Sequence, residues 1–253
     1  MSDFATSGGH WYKADGTPCY TIIGKNGRER NTTLRDARDL GLVPSVTGII
    51  RMAAAPALEK WKRNQVLMAA LTLPRAANEA EADWLVRVER DWQEQGRAAA
   101  DKGTAIHGAI ERHYRNELPD AEWWEWVKVA KESVASVCGP QKWLTERSFA
   151  NALGFGGKTD LHSPEWVLDF KSKDGVEDAK VYDEHCMQLA AYRMGLGVPG
   201  ARCGILFIDR RSPVVRLVEV NDADLDAGWE MFRALLAYWQ AKNNYLHTLR
   251  EAA

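Results

Sequence analysis

The sequence predicts an α/β (α+β) fold, with a small central mixed β-sheet flanked by helices, a helical N-terminal half and a small N-terminal β-hairpin. Two patterns predict it. Helix-forming residues dominate most of the chain up to position 140, and three short apolar segments between 142 and 171 are typical of strands. A helix, two further strands and a last helix follow. Helices therefore precede and flank the sheet.

The N-terminal half begins with the hairpin and continues as helices. His10–Ile23 alternates in polarity about Asp15-Gly16, which is typical of a β-hairpin. Proline is tolerated in the first turn of a helix, so Pro56 marks the start of one. The predicted helices are Thr33–Leu40, closed by Gly41, Pro56–Leu71, Asn78–Tyr114 with a break at Gly96, and Ala121–Val137.

The C-terminal half supplies the sheet. The predicted strands are Lys142–Phe149, Phe155–Leu161, Trp166–Lys171, Cys203–Asp209 and Val214–Val220, and the helices are Ala179–Leu196 and Asp222–Leu246. We expect one domain over residues 1–253. It would comprise a hairpin appendage (1–42), a helical part (43–140) and the sheet with its flanking helices (141–253).

Composition and charge limit the classes of function. With 45% hydrophobic and 27% charged residues, the chain is typical of a globular protein, and no apolar stretch is long enough to span a membrane. We expect a cytoplasmic protein. The net charge of −2 excludes a uniformly basic surface, so nucleic acid would have to be bound by a local cluster of Lys and Arg side chains. The candidate cations are Lys60, Lys62, Arg63, Arg97, Lys102, Lys158, Lys171 and Lys173, most of which would otherwise be solvated surface charges.

The four cysteines lie far apart in the sequence and form no C-x-x-C pair. This spacing indicates neither a zinc site nor a disulfide framework, so we expect free thiols.

Two carboxylates are predicted to meet on one hairpin. A four-residue loop from Ser163 to Trp166 would place Asp160 opposite Asp169, with Cβ atoms about 4.5 to 5.5 Å apart. Two anions this close repel each other unless a cation lies between them. The alternative is a hairpin with two exposed acids.

Side-chain alternation gives the predicted hairpin a polar and an apolar face. Lys171 shares the face of Asp169, whereas Leu168 and Phe170 point to the other side. The apolar opposite face and the lysine favour a buried site over two exposed acids. Carboxylate ligands suit Mg²⁺ or Mn²⁺ better than a metal that prefers thiolates.

A histidine and an amide extend the set of candidates. His107 and Glu111 lie four residues apart on one helix, at the edge of an apolar stripe, where a histidine is usually structural. Gln188 and Tyr192 are also spaced i, i+4, on an otherwise apolar helix. By spacing alone, all four could be ordinary helix residues.

Four segments occur in an order that resembles the PD-(D/E)XK nuclease superfamily, in its branch of RecB-type and mitochondrial genome maintenance exonuclease-like nucleases. They are a G-x-x-x-H-x-x-I-E helix (103–111), a G-x-x-D strand (157–160), a D-x-K strand (169–171) and a Q-x-x-x-Y helix (188–192). A fifth segment, 44–47 with Leu58 and Trp61, resembles the entry to the branch's helical part.

The resemblance implies a role for each matching residue. His107, Asp160, Asp169 and the backbone carbonyl of Phe170 would bind Mg²⁺ or Mn²⁺, and Lys171 would orient or help to deprotonate the attacking water. Gln188 and Tyr192 would shape the active site and position the strand, and Lys173 would meet phosphate. Glu146 loosely matches a frequent acidic position, and Glu111 would accept from the imidazole or be solvated. Nothing matches the four-cysteine iron-sulfur cluster of some relatives.

The function that the resemblance implies is a divalent-metal-dependent DNA exonuclease that prefers single-stranded ends. Its setting would be DNA recombination, replication or repair, with a phage recombination or replication protein as partner. The alternatives are an endonuclease, a duplex-resecting exonuclease of the phage lambda type, a nuclease-derived DNA-binding module without activity, and an unrelated metallohydrolase.

Overall fold

The computed structural model describes residues 9–54 and 56–246, without the side chains of Ala57 and Leu58. Leu58, which the resemblance includes, therefore has no described side chain. The described residues form nine strands and seven α-helices. The first of them are β1 (Trp11–Tyr12), β2 (Thr21–Ile23), β3 (Glu29–Asn31), α1 (Leu34–Leu40), β4 (Val43–Pro44) and α2 (Val46–Ile50).

The N-terminal hairpin exists but lies later in the chain than predicted. Asp15-Gly16 does form a turn, in which the Gly16 N–H donates to the Lys13 carbonyl, and Tyr12 pairs with Pro18. Two hydrogen bonds flank this pair, from Lys13 N–H to the Thr17 carbonyl and from Cys19 N–H to the Trp11 carbonyl, but the ladder does not continue beyond it. The hairpin is instead β2–β3, around Asn26-Gly27, while β1 pairs with β4. The predicted position, His10–Ile23, is therefore wrong.

The predicted helix α1 is confirmed together with both of its ends. Thr33 and Asp36 form a capping box at its start, and Gly41 ends it with a φ of 63°. Arg30 on β3 also contacts the capping box. Its guanidinium lies 2.7 Å from Asp36 Oδ2. Local sequence therefore determines this helix.

The helical part consists of α3 (Pro56–Thr72), α4 (Glu81–Tyr114), a 3₁₀ turn (Ala121–Trp123) and α5 (Trp124–Cys138). The predicted break at Gly96 is wrong, because α4 runs without interruption through it. An exposed glycine inside a helix costs only about 1 kcal/mol relative to alanine, which a helix of this length tolerates.

The C-terminal half contains β5 (Leu144–Asn151), β6 (Phe155–His162), β7 (Trp166–Lys173), α6 (Asp183–Gly195), β8 (Arg202–Asp209), β9 (Val215–Val220) and α7 (Asp222–Lys242). The five strands form one sheet in the order β5-β6-β7-β8-β9. Only β7 and β8 run parallel, and the other neighbours are antiparallel. The predicted mixed sheet with flanking helices is therefore confirmed.

Each face of the sheet is covered by its own hydrophobic core. On what we call the α6 face, Val167, Ile205 and Phe207 pack with α2, α6 and α7. On the α4 face, Leu168, Phe170 and further apolar residues pack with α4 and α5. Successive residues of β7 therefore point into different cores.

The prediction of free thiols is confirmed. Cys19, Cys138, Cys186 and Cys203 are all free thiols. Over residues 9–54 and 56–246, none of the helices combines the length and apolar composition that crossing a bilayer requires.

Candidate active site

The strands β6 and β7 pair for only two residues and then separate. His162 pairs with Val167 as predicted, and Leu161 pairs with Leu168. Beyond this point, the Phe170 N–H donates to Asp160 Oδ2, at 2.6 Å. The Asp160 carboxylate therefore lies in the opening between the strands, instead of in a regular ladder pair with Asp169.

Asp169 is the centre of a polar network on the α6 face. Its side chain is buried, at 6% exposure, and Oδ2 lies 2.7 Å from Lys171 Nζ in an ion pair. Its other oxygen, Oδ1, accepts from Gln188 Nε2 at 2.7 Å. The Gln188 amide also accepts from Lys171 Nζ at 2.9 Å and donates to the Tyr192 hydroxyl at 2.9 Å. Four of the predicted residues are thus in contact.

Asp160 and Asp169 repel each other, and the positive charge nearby is too small to offset this repulsion. Burial, and then the charge of Asp169, raise the pKa of Asp160 to about 7. The hydrogen bond from Phe170 and the charge of Lys171 oppose this rise without cancelling it. A further cation beside the carboxylates would remove the repulsion.

Lys171 is a cation in this network at neutral pH. Burial by itself would lower the pKa of Lys171, but the charge of Asp169 and the hydrogen bond to it raise that pKa overall. Burial also raises the pKa of the Tyr192 hydroxyl well above its usual value. Both groups therefore carry their protons at neutral pH.

His107 lies on α4, close enough to Asp169 and Lys171 for their charges to influence its pKa. Its ring packs edge-on against Phe170, with centroids 5.7 Å apart. Burial lowers the pKa of His107 to about 4, so the imidazole is neutral. Its Nε2 is buried and has no hydrogen-bond partner among the described residues.

Two glycines of the matching segments allow close packing at this site. A Cβ on Gly103 would collide with the side chain of Ser172, so α4 crosses β7 closely just before His107. A Cβ on Gly157 would lie 2.9 Å from Tyr192 Cε1. Both positions therefore require glycine because of what packs against them.

The donor atoms test whether a divalent cation fits here. Two carboxylates lie next to each other, and the buried Nε2 of His107 has no partner. At Asp169 Oδ2, the ammonium of Lys171 lies 2.7 Å away in an ion pair. The donor types suit Mg²⁺ or Mn²⁺. Among the described residues, however, no three His, Cys, Asp or Glu side chains already converge as a metal site.

The two weaker acidic candidates differ in environment. Glu146 has a φ of 52°, although it lies within β5, and it forms an ion pair with Lys158. The pairs on either side of it, Thr145 with Leu161 and Arg147 with Thr159, place Glu146 level with Asp160. Backbone strain of this kind is often found at functional sites. Glu111, in contrast, forms an ion pair with Arg115 on its own helix.

Sequence reasoning missed three residues near this network. His185 is one turn before Gln188 on α6, and Lys171 and Asp169 both influence its pKa, which burial lowers. The i, i+3 spacing from Gln188 could have indicated it.

Tyr12 and Tyr20 share a hydrogen bond between their hydroxyls at 2.7 Å, and both lie close enough to Tyr192 for mutual electrostatic effects. No local sequence pattern indicates that approach.

Comparisons with known proteins give structural likenesses only. No protein-family model matches the sequence, and no curated protein matches it. A crystal structure of a candidate exonuclease from Eubacterium rectale is 13% identical, with a TM-score of 0.40 over 56% of this chain and 68% of that one. An alkaline exonuclease from Laribacter hongkongensis is 15% identical, with a TM-score of 0.39 over 74% of this chain and 95% of that one. Likenesses this distant do not establish a function for the chain.

Proposed function

We propose that the protein is a divalent-metal-dependent DNA nuclease that acts as an exonuclease and prefers single-stranded ends. The observation that carries the proposal is the contact of Asp169 with both Lys171 and Gln188, beside the second carboxylate of Asp160. Two adjacent carboxylates with a cationic lysine are a set of groups suited to phosphodiester hydrolysis.

The two carboxylates would hold the metal together with His107 and the carbonyl of Phe170. A bound Mg²⁺ or Mn²⁺ supplies positive charge for the phosphate and lowers the pKa of a water molecule. The raised pKa of Asp160 supports a cation at this place, since the carboxylate pair is short of positive charge without one.

Lys171 would act on the attacking water and on the charge that develops at the phosphate. Its ammonium is a hydrogen-bond donor with a raised pKa, so it orients water and offsets negative charge. As long as Asp169 lies beside it, Lys171 keeps its proton and is a poor general base. Orientation and charge stabilisation are therefore its proposed roles.

Gln188 and Tyr192 would position the reacting groups. The Gln188 amide fixes both Asp169 and Lys171, and the Tyr192 hydroxyl bonds the same amide. A side chain with both a donor and an acceptor is needed between a carboxylate and an ammonium. The network therefore holds the lysine and the aspartate in one fixed arrangement.

The exonuclease mode, the preference for single strands and a setting in phage recombination, replication or repair rest on the resemblance of the four sequence segments. Because the net charge is −2, we expect DNA to be bound by local positive charge near the active site and not by the whole surface. An endonuclease or a duplex-resecting exonuclease would use the same catalytic groups.

The proposal is tested with end-labelled linear DNA, single-stranded or duplex, and with circular single-stranded DNA. Each is incubated with Mg²⁺, Mn²⁺ or EDTA. We expect progressive shortening of linear single strands, no cleavage in EDTA and no cleavage by the Asp169→Asn and Lys171→Ala variants. The Lys128→Ala variant, changed at an exposed position of α5, serves as the matched control and should retain full activity.

Three outcomes would contradict parts of the proposal. Circular DNA has no ends, so its cleavage would show that the protein is an endonuclease and not an exonuclease. Equal activity of the Asp169→Asn variant would show that the site is not catalytic. Tight DNA binding with no hydrolysis in any metal would favour the inactive DNA-binding module.

A further inference from the structure

The N-terminal appendage carries a stacked aromatic pair on its surface. The rings of His10 and Tyr20 lie parallel, with centroids 4.4 Å apart and an interplanar angle of 24°. His10 is exposed, whereas Tyr20 is half-buried and is fixed by the hydrogen bond to the Tyr12 hydroxyl. A fixed tyrosine thus supports an exposed imidazole ring.

The appendage and the residues that follow it both contact the strand that carries Asp160. Ser45, which follows β4, forms a parallel bridge with Gly156 at the start of β6. The ring of Tyr12 packs on Gly156 so closely that a Cβ there would lie 2.8 Å from three of its atoms. The next residue, Gly157, is in equally close contact with Tyr192. Tyr12 and Tyr192 therefore pack over consecutive residues of β6.

Two cations lie close enough to the aromatic pair to influence it electrostatically. Burial is the largest cause of the lowered pKa of His10, and the charges of Arg51 and Lys158 lower it further. Lys158 is two residues before Asp160 on β6 and pairs with Glu146. Arg51 is exposed and forms no ion pair within the described part of the chain. Of these two cations, Arg51 is therefore the more available to a ligand.

We propose that His10, supported by Tyr20, and Arg51 form a subsite for one nucleotide of a DNA strand that enters the active site. The exposed imidazole ring would stack on an unpaired base, and Arg51 would contact a phosphate next to that base. This inference rests on the proposed nuclease function, and it names where the strand is held outside the catalytic groups.

The geometry selects an unpaired base. In a duplex, both faces of each internal base are covered by its neighbours, so a protein ring can stack only on a base that is unpaired or terminal. Aromatic stacking with nearby cations is a sequence-tolerant way to bind single strands. The subsite would therefore give the enzyme a preference for single-stranded DNA without reading its sequence.

Binding is measured without cleavage in the Asp169→Asn background, with fluorescence anisotropy of a labelled oligothymidylate in EDTA. Adding His10→Ala should weaken binding by about 10-fold, the order expected for one stacked base. His10→Phe keeps a ring and should bind nearly as the parent. Arg51→Ala should reduce the slope of log K against log salt by about 0.7, the value for one phosphate contact on a single strand.

Matched control variants lie on the other side of the sheet. Trp124→Ala removes an exposed aromatic ring and Lys128→Ala removes an exposed cation, both from α5 on the α4 face. Both should leave affinity and salt dependence unchanged. Circular dichroism of every variant checks that the fold is intact. Unchanged affinity in folded His10→Ala protein would overturn the subsite.

A small substrate separates failure of the subsite from failure of the nuclease function. The p-nitrophenyl ester of thymidine 5′-phosphate contains a single nucleotide, so with its phosphate at the catalytic groups it has no neighbouring base to stack on His10. In the otherwise unchanged protein, His10→Ala should raise KM for oligonucleotides about 10-fold and leave hydrolysis of the ester unchanged. Equal loss on both substrates would overturn the subsite. Binding that depends on His10 without hydrolysis of either substrate would support the subsite and contradict the nuclease function.

Discussion

Gln188 Nε2 donates a 2.7 Å hydrogen bond to Asp169 Oδ1, inside a network that leaves the amide no freedom to rotate. Its Oε1 accepts from Lys171 Nζ, which cannot act as an acceptor. The aspartate requires a donor and the lysine requires an acceptor, so only a side chain with both satisfies the two. This explains why an amide lies between Asp169 and Lys171.

Replacing the amide by a carboxylate tests that explanation. Gln188→Glu keeps the size of the side chain but faces Asp169 with a like charge and loses the donor. We expect the hydrolysis rate to fall roughly 100-fold, as for the loss of one fixed donor in an active site. Initial rates on single-stranded DNA measure this, with Gln95→Glu as the matched control, because Gln95 is exposed on α4 and also donates to an aspartate. An unchanged rate would show that Gln188 has only a packing role.

The repulsion between Asp160 and Asp169 should make the free energy of unfolding depend on pH. Because the folded pKa of Asp160 is raised to about 7, above an unfolded value of about 3.9, folding takes up a proton over this range. Asp160 therefore costs stability as pH rises from about 4 to 7. In metal-free buffer we expect Asp160→Asn to be more stable than the parent at pH 8, by on the order of 3 kcal/mol, and equally stable near pH 4.

Urea unfolding at each pH measures this difference, and Asp15→Asn provides a control of opposite sign. A hydrogen bond from the Thr17 N–H holds the pKa of Asp15 below its usual value. Its contribution is thus present above the unfolded pKa and is lost as pH falls. Removal of this carboxylate should reduce stability at neutral pH and have no effect in acid. A less stable Asp160→Asn protein at pH 8 would contradict the proposed repulsion.

Addition of a divalent cation should stabilise the folded protein. At a Mn²⁺ concentration about 100 times the Kd, linkage gives about 2.7 kcal/mol, or a rise in Tm of about 5 to 10 °C for a chain of this size. Differential scanning calorimetry measures this rise without reference to activity. Asp169→Asn should abolish it, whereas Trp124→Ala should retain it.

The same measurement decides the role of His107. If its buried Nε2 is a ligand, His107→Leu should weaken Mn²⁺ binding by roughly 10- to 100-fold, the scale at which perturbed metal sites lose affinity. If His107 only packs against Phe170, the affinity for Mn²⁺ will be unchanged and the variant will differ in stability alone.

The sequence was sufficient where neighbours along the chain determine the structure. Helix α1 has its own caps, and alternation along β7 places Asp169 and Lys171 on one face and Phe170 on the other. The resemblance also pointed to Gln188 and Tyr192, and in the structure Gln188 contacts Asp169 while Tyr192 contacts Gln188.

Long-range pairing determines the features that the sequence did not reveal. The separation of β6 from β7 depends on Asp160 taking the Phe170 N–H, which no alternation pattern contains. The approach of Tyr12 to Tyr192 depends on the bridge between Ser45 and Gly156, more than one hundred residues apart in the sequence. Position 107 was predicted by motif, but its place near Asp169 follows from how closely α4 crosses β7 at Gly103 and Ser172.

Two glycines of α4 separate the effect of this close crossing from that of helix propensity, because different groups face them. A Cβ at Gly103 would collide with Ser172, whereas nothing lies within 4 Å of a Cβ at Gly108. Gly103→Ala should therefore destabilise the protein by about 1–3 kcal/mol and displace His107 from β7, lowering activity. Gly108→Ala should stabilise it by up to about 1 kcal/mol, because alanine favours the helix more than glycine does. Urea unfolding and initial rates of both variants measure the contrast, and equal effects at the two positions would show that α4 does not depend on its close crossing at Ser172.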